Sequence, residues 1–124
     1  MDRDRWLLPR LRSEATEAFD WLVKHAGPYP FSSLGIVVVG GQSAMETQTM
    51  ITASRDILDV PGANLEHEMA HQWFGDSVSP VDWRGLWLNE GWAMYMQQWY
   101  ESDTGRPGWG GGMRAWPLRP GQLR

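Results

Sequence analysis

The sequence contains no cysteine. Disulfide bonds and thiolate zinc sites are therefore excluded, and a bound metal ion must be held by nitrogen and oxygen atoms. Long apolar runs are also missing, because no stretch approaches the roughly 20 residues that span a bilayer. The amino-terminal segment MDRDRWLLPRLRS contains only the short apolar run WLL, against about 7–15 residues in a signal peptide. These absences predict a cytoplasmic chain without a membrane span.

Positive charge is scarce and scattered. The chain has 11 Lys and Arg residues against 15 Asp and Glu residues, with a formal net charge of −4. Since phosphate binding needs a clustered basic face, nucleic acid is not expected as a partner. The 124 residues, 42% of them hydrophobic, are enough for one globular domain with a single core.

The first half of the sequence predicts one helix followed by two strands. Apolar residues recur at helical spacing between Ser13 and His25, Ser13 can cap the start, and Gly27 stops the run. The β-branched segment LGIVVVG is typical of a buried strand. The segment METQTMITAS predicts a second strand that alternates more.

The second half predicts two helices. The first begins near Ala63 and ends at Gly75, a residue type that suits the position after a helix. The second is capped by Asn89 and runs to about Ser102. It is apolar nearly all round, so we expect it to be buried, in part by protein outside this chain. The Gly-, Pro- and Arg-rich segment that follows has no periodicity and is expected to be a loop or a frayed tail.

Nine tryptophans in so short a chain are unusual, and five of them fall within residues 73–99. We interpret these five as aromatic packing around the two helices, and prefer this to a role in stacking on a ligand.

The segment LEHEMAHQWFGD carries two histidines four positions apart. A step of four residues turns a helix by about 400°, so His67 and His71 lie on nearly the same face and can reach one ion. Glu68 lies beside that ion without needing to be a ligand, where a carboxylate can take a proton from water. Alone, this pattern also arises on solvated helices. Here the helix is too apolar for the surface, and buried His and Glu groups are costly unless they are paired or metallated.

A catalytic zinc site needs a third protein ligand. Glu90, in NEGWA, lies at the start of the second helix, with eighteen residues between it and His71. We prefer Glu90 to His25, the only other imidazole, because the helix that ends at His25 has no evident reason to approach the site. Taken by itself, Glu90 is also explained as a carboxylate that interacts with the helix dipole.

Two motifs give the chain a specific resemblance. The spacing of HEMAH and the glutamate of NEG is that of the gluzincin metallopeptidases, and WFGDSVSPVDWRGLWLNEGWAMY closely resembles the aminopeptidase N (alanyl aminopeptidase) family. The segment QSAMETQ resembles that family's G-A-M-E-N motif, with Ser43 in place of the leading glycine and Thr47 in place of the asparagine. The similarity extends over about residues 19–105.

The resemblance implies a zinc metalloaminopeptidase. One Zn²⁺ per chain would be held by His67, His71 and Glu90, while Glu68 would act as general base. The reaction implied is the removal of amino-terminal residues from peptides.

The resemblance also implies a substrate anchor. Glu46 and the neighbouring backbone of Ala44 and Met45 would bind the free α-amino group of a peptide substrate. The alternative for Glu46 is an ordinary edge-strand glutamate.

An α+β fold is implied as well, namely a thermolysin-like catalytic-domain core of short β-strands followed by two zinc-site helices. We expect residues 1–12 to form an amino-terminal tail, residues 13–105 a partial peptidase domain, and residues 106–124 a Gly/Pro/Arg-rich tail.

Family members are far larger and carry a transition-state tyrosine well beyond the NEG glutamate, whereas this chain ends 34 residues after it. Flanking domains are thus expected to be missing. The rival interpretation is a zinc-binding fragment or interaction module with little or no catalytic activity.

Overall fold

The computed structural model describes residues 7–55 and 65–106. These residues form an α+β fold, which confirms the predicted class. In chain order the elements are α1 (Leu7–Ala26), β1 (Gly35–Val39), β2 (Ala44–Met45), β3 (Met50–Ser54), α2 (Leu65–Ala70), a 3-10 turn (Trp83–Gly85) and α3 (Leu86–Thr104). No helix in the described parts is long and apolar enough to cross a membrane. The cytoplasmic location stays a prediction.

Helix α1 already includes Leu7, so the prediction that Ser13 caps its start is wrong. Pro9 is compatible with this extension because the first turn of a helix leaves its N–H groups without intrahelical partners. The helix ends where expected, at Gly27, whose φ of 97° lies in the left-handed region. Its inner face contributes Leu11, Ala18, Trp21 and Leu22 to the core.

The sheet has the order β1-β3-β2, with β1 parallel and β2 antiparallel to the central strand. METQTMITAS was predicted to form one strand, but only its first residue, Met45, belongs to β2. Its last five residues form β3, and a turn at Thr49 (φ 64°) lies between the two strands. The burial predicted for LGIVVVG is also wrong, because β1 is an edge strand and Val37 is 44% exposed. The buried strand is β3, through Ile51 and Ala53.

Helix α2 is buried, as its apolar composition predicts, and it packs against both α1 and α3. Its regular part ends at Ala70, five residues before the predicted end at Gly75. Residues 71–78 form a wider turn instead, in which Asp76 N donates to His71 O (2.9 Å). The predicted start near Ala63 lies outside the described residues.

Helix α3 begins at Leu86, so Asn89 is an interior residue and the prediction that it caps the helix is wrong. The chain enters α3 through the 3-10 turn, whose N-cap Asp82 accepts a hydrogen bond from Arg84 N at 2.9 Å. Within residues 7–55 and 65–106 only one face of α3 is covered, and its predicted burial by protein outside this chain stays a prediction. The buried residues are Ala93, Met96, Gln97 and Tyr100. The large side chains left exposed on this helix are Leu86, Trp87, Leu88, Trp92, Met94, Tyr95 and Trp99.

Candidate metal centre

His67 and His71 share one side of the polypeptide although only His67 lies inside α2. His71 follows the last helical residue, yet its backbone N still donates to His67 O at 3.3 Å, which preserves the one-turn relationship. The two imidazole Nε2 atoms lie 3.2 Å apart. His71 is 1% exposed, so its ring is held by the surrounding core.

Glu90 joins the two histidines from the second turn of α3. Its Oε2 lies 3.3 Å from His67 Nε2, and its Oε1 lies 3.6 Å from His71 Nε2. Its side chain is 46% exposed. Donor atoms of the three residues all lie within 4.8 Å of one another. The structure therefore brings together the three residues named as ligands from the sequence.

The Nδ1 atom of each imidazole faces an oxygen outside the centre of the site. Nδ1 of His67 lies 3.2 Å from Gln97 Oε1, and Nδ1 of His71 lies 3.2 Å from Phe74 O. Because these oxygens accept hydrogen bonds, each Nδ1 is the donor, and in the neutral ring the Nε2 atom then holds a lone pair. Burial, followed by the neighbouring His71, lowers the pKa of His67 and favours its neutral form.

Two imidazole Nε2 atoms and a carboxylate thus converge, and a metal cation in the space between them would be bound by all three groups. Zinc binds nitrogen and oxygen at about 2.0–2.2 Å, so neighbouring ligands of a tetrahedral zinc ion are roughly 3.3–3.5 Å apart. The Nε2–Nε2 separation of 3.2 Å is close to that spacing, and the two Nε2 atoms lie 3.3 and 3.6 Å from different oxygens of the Glu90 carboxylate. The residues present therefore fit a zinc ion.

Glu68 lies next to His67 on α2 and is partly buried. Burial raises the pKa of its carboxyl to about 7; His71 opposes this rise, and the carboxylates of Glu46 and Glu90 add to it. These electrostatic neighbours place Glu68 close to the metal ligands. A carboxyl with a pKa near neutrality is suited to accept and release a proton at physiological pH.

Glu46 follows directly after β2 and is partly buried. Its carboxylate raises the pKa values of both Glu68 and Asp76, so it faces the same acidic region. Ala44 and Met45 form β2, an edge strand of the described sheet. The three residues predicted to bind substrate are therefore adjacent and near Glu68, while their role stays a prediction.

Gln72 is a structural residue of the site that the sequence interpretation missed. It is fully buried, and its Nε2 donates to Glu46 O (3.2 Å) and Asp76 Oδ2 (2.8 Å). Its Oε1 accepts from Thr49 N (2.9 Å) and Tyr29 OH (3.1 Å). Gln72 thereby ties the segment after β2 to the end of α2. Its position directly after the second histidine of the motif was the available signal.

Other candidates from the sequence lie elsewhere. The His25 ring stacks on Trp21 at 4.0 Å and its Nδ1 bonds to Trp21 O, so it is not brought to the three ligands. The prediction of aromatic packing is correct for Trp73, which is buried, and for Trp92, whose ring stacks on Phe74 with 5.4 Å between the ring centroids. Packing does not explain Trp83 and Trp87, which are exposed.

A short sheet followed by two helices that join an HExxH pair to a glutamate defines a metallopeptidase-type domain. The Peptidase family M1 domain matches residues 13–113, and the chain belongs to that family. Aminopeptidase 2 of Candida albicans is 41% identical over 95 residues, which cover 65% of this chain and 10% of that protein. The alanine/arginine aminopeptidase of Saccharomyces cerevisiae is 37% identical over 95 residues, or 65% of this chain and 11% of that protein.

Solved structures agree with this assignment. The M1 zinc metallopeptidase of Deinococcus radiodurans superimposes with a TM-score of 0.66 at 33% identity, covering 77% of this chain and 22% of that one. A mutant of that enzyme with a bound Tyr-Ser-Ala substrate gives a TM-score of 0.65 at 31% identity, with the same coverage. The resemblance noted from the motifs is thereby confirmed. The chain spans about a tenth of the length of the two yeast aminopeptidases above.

Proposed function

We propose that this chain is the zinc-binding core of a metalloaminopeptidase, with His67, His71 and Glu90 as the ligands of one zinc ion. The observation that carries the proposal is the convergence of the two imidazole Nε2 atoms and the Glu90 carboxylate. Zinc, when bound, would activate water and polarise the scissile carbonyl of a peptide.

Glu68 is the proposed general base. Its carboxyl is next to the metal ligands without being needed among them, and its raised pKa suits transfer of a proton from water to the leaving amine. In the mutant M1 zinc metallopeptidase of Deinococcus radiodurans solved with a substrate, the bound molecule is Tyr-Ser-Ala.

Charge supports a substrate with a free amino terminus. The carboxylate of Glu46 is close enough to both Glu68 and Asp76 to raise the pKa of each, although burial is the larger cause of both shifts. Together with Glu90 these residues carry more negative charge, when ionised, than the two positive charges of a zinc ion can neutralise. The ammonium group of a substrate would add positive charge and so stabilise the ionised carboxylates. The edge strand β2 leaves backbone groups of Ala44 and Met45 available to an extended peptide.

The second candidate function is metal binding with little catalysis. The tetrahedral oxyanion of peptide hydrolysis needs a positioned donor, whose loss costs about 10²–10³ in rate. Among the residues of the described ranges, Tyr100 is buried against Trp21, and Tyr95 packs between Trp92 and Trp99. Both tyrosine rings are thus placed by aromatic packing against tryptophans of α1 and α3. We therefore expect turnover by this chain to lie well below the usual enzyme range of roughly 1–10³ s⁻¹.

The test combines metal content with hydrolysis. Elemental analysis should find one zinc per wild-type chain and stoichiometric binding lost in His67→Ala, His71→Ala and Glu90→Ala. Glu68→Gln should keep the metal and lower any kcat by roughly 10² or more. His25→Gln is the matched control and should keep both properties.

Substrate class is read from a pair of chromogenic alanyl amides, one with a free and one with an acetylated amino group. Preference for the free amine is expected, and Glu46→Gln should reduce that preference. Equal cleavage of both amides would contradict the aminopeptidase proposal. A wild-type chain without zinc would contradict the metal site itself.

A further inference from the structure

Two hydrogen bonds in series lead from the metal-facing ring of His67 into α3. His67 Nδ1 lies 3.2 Å from Gln97 Oε1, across 30 residues of sequence. Gln97 Nε2 donates to Glu101 Oε1 at 2.8 Å, one helical turn further on. Gln97 is only 9% exposed, so its amide is enclosed between the two helices and is held in one orientation by protein neighbours.

The chemistry of the three groups gives this series a direction. An ionised carboxylate only accepts hydrogen bonds, so Glu101 requires the NH₂ end of the Gln97 amide. The amide oxygen must then face His67. An oxygen at that place accepts from Nδ1–H, which leaves Nε2 unprotonated. A reversed amide would present NH₂ to Nδ1 and favour the opposite tautomer, whose Nε2–H cannot bind a metal.

We propose that Glu101 and Gln97 form a positioning pair that holds His67 in the Nδ1–H tautomer and so presents its Nε2 lone pair to zinc. This inference rests on the proposed function of the site as a zinc centre. Gln97 and Glu101 are positioning residues, since they act through His67. Groups beyond the ligands that orient a metal-binding histidine typically contribute 10–100-fold to metal affinity.

The two histidines depend on different kinds of support. Nδ1 of His71 faces Phe74 O, a backbone carbonyl that cannot be reversed and can only accept. Nδ1 of His67 faces a side-chain amide whose orientation is selected by a third residue. Changes at Gln97 or Glu101 are therefore expected to affect the tautomer of His67 and to leave that of His71 unchanged.

The test uses methionine substitutions of similar length and a swap that preserves both bonds. Gln97→Met removes the acceptor for His67, and Glu101→Met removes the group that orients the amide. The double variant Gln97→Glu with Glu101→Gln restores the series, because the introduced carboxylate accepts from both neighbours and the net charge is unchanged. Gln98→Met is the matched control, since Gln98 is exposed on the same helix.

Zinc affinity is measured by competition with a chromophoric chelator. Gln97→Met should raise the zinc Kd about 10–100-fold, Glu101→Met should raise it less, and the swap and Gln98→Met should stay within about threefold of wild type. Nitrogen-15 NMR of the zinc-free chain should show His67 protonated at Nδ1 in the wild type and in the swap, and shifted toward Nε2–H in Gln97→Met.

Wild-type zinc affinity in Gln97→Met, or an Nε2–H tautomer of His67 in the wild-type chain, would overturn the proposal. Equal losses in Gln97→Met and Gln98→Met would also overturn it, because the effect would then be general to the helix. A wild-type chain that bound no zinc would contradict the proposed function instead. The tautomer measurement needs no metal and would still decide on the positioning pair.

Discussion

At the scale of single residues, Glu66 is the one acidic residue classed as buried within residues 7–55 and 65–106. It is 7% exposed, and burial raises the pKa of its carboxyl to about 7. Its charged neighbours are Glu101, Arg106 and Glu14. Glu101 therefore has two roles in this structure, since it also receives the hydrogen bond from Gln97.

Glu66→Gln should make the fold less sensitive to pH. A carboxyl whose folded-state pKa is raised contributes stability that is full below its unfolded-state pKa, near 4.5, and is lost as the pH rises to about 7. The gain of the variant over wild type should therefore grow across this window, toward a limit on the order of 3 kcal/mol above pH 7.

The measurement is urea unfolding of both chains between pH 4 and pH 8. Asp20→Asn, which changes an exposed carboxylate on α1, is the control and should show no such trend. A gain that is constant with pH would show that the pKa of Glu66 is the same in the folded and the unfolded chain.

At the scale of elements, the turn that follows α2 packs closely against the first turn of α3. Gly75 has a φ of 140°, and a Cβ placed on it would lie 2.4 Å from Asn89 Oδ1. Asn89 immediately precedes Glu90, and its Oδ1 is buried with no hydrogen-bond partner in the described parts of the chain. The close approach at Gly75 thus sets the distance between the element that carries His71 and the element that carries Glu90.

Gly75→Ala should destabilise the fold and weaken zinc binding. The substitution adds both backbone strain at positive φ and a clash with Asn89, and we expect a loss of about 2 kcal/mol or more. Gly91→Ala is the matched control, because Gly91 lies in α3 and a Cβ there meets nothing within 4 Å. This control should instead stabilise the fold by about 0.5–1 kcal/mol.

Chemical unfolding and zinc competition check both variants. Normal stability and normal zinc affinity in Gly75→Ala would show that the two elements are not held by this contact.

At the scale of the whole molecule, the described surface carries a large apolar area on and before α3. Trp83 and Trp87 are exposed by 85% and 73%, and further apolar side chains on α3 extend this surface. Apolar patches of this kind mark surfaces that contact other protein. The described residues cover only one side of α3, and a protein surface packed on its other side would account for its apolar composition nearly all round.

We predict that the 124-residue chain self-associates through this surface. The double variant Trp87→Gln with Trp99→Gln should raise the dimer Kd at least about tenfold, since burial of one large apolar side chain contributes roughly 1.5–3 kcal/mol. Gln98→Ala is the control on the same helix. Sedimentation velocity over a concentration series measures the effect, and a wild-type chain that stays monomeric at every concentration would contradict the prediction.

Short-range sequence patterns were sufficient to name the three side chains that converge in the structure and most of the elements. The one-turn relation of His67 and His71 depends only on helical geometry, and the apolar flank of the motif implied its burial. The position of Glu90 followed from motif spacing and was reproduced in space. The α+β class and the M1 family were likewise predicted, whereas the domain boundaries and the carboxy-terminal tail beyond Arg106 stay predictions.

Contacts between elements were decided only in the tertiary structure. The sequence does not show that Gln97 meets His67, that Gln72 holds the segment of Glu46, or that Asn89 packs on Gly75 instead of capping α3. A pattern of a few residues predicts the local backbone conformation and indicates which face of a helix or strand is apolar. Which side chains meet across two helices depends on their packing distance and rotation, and these are set by the core as a whole.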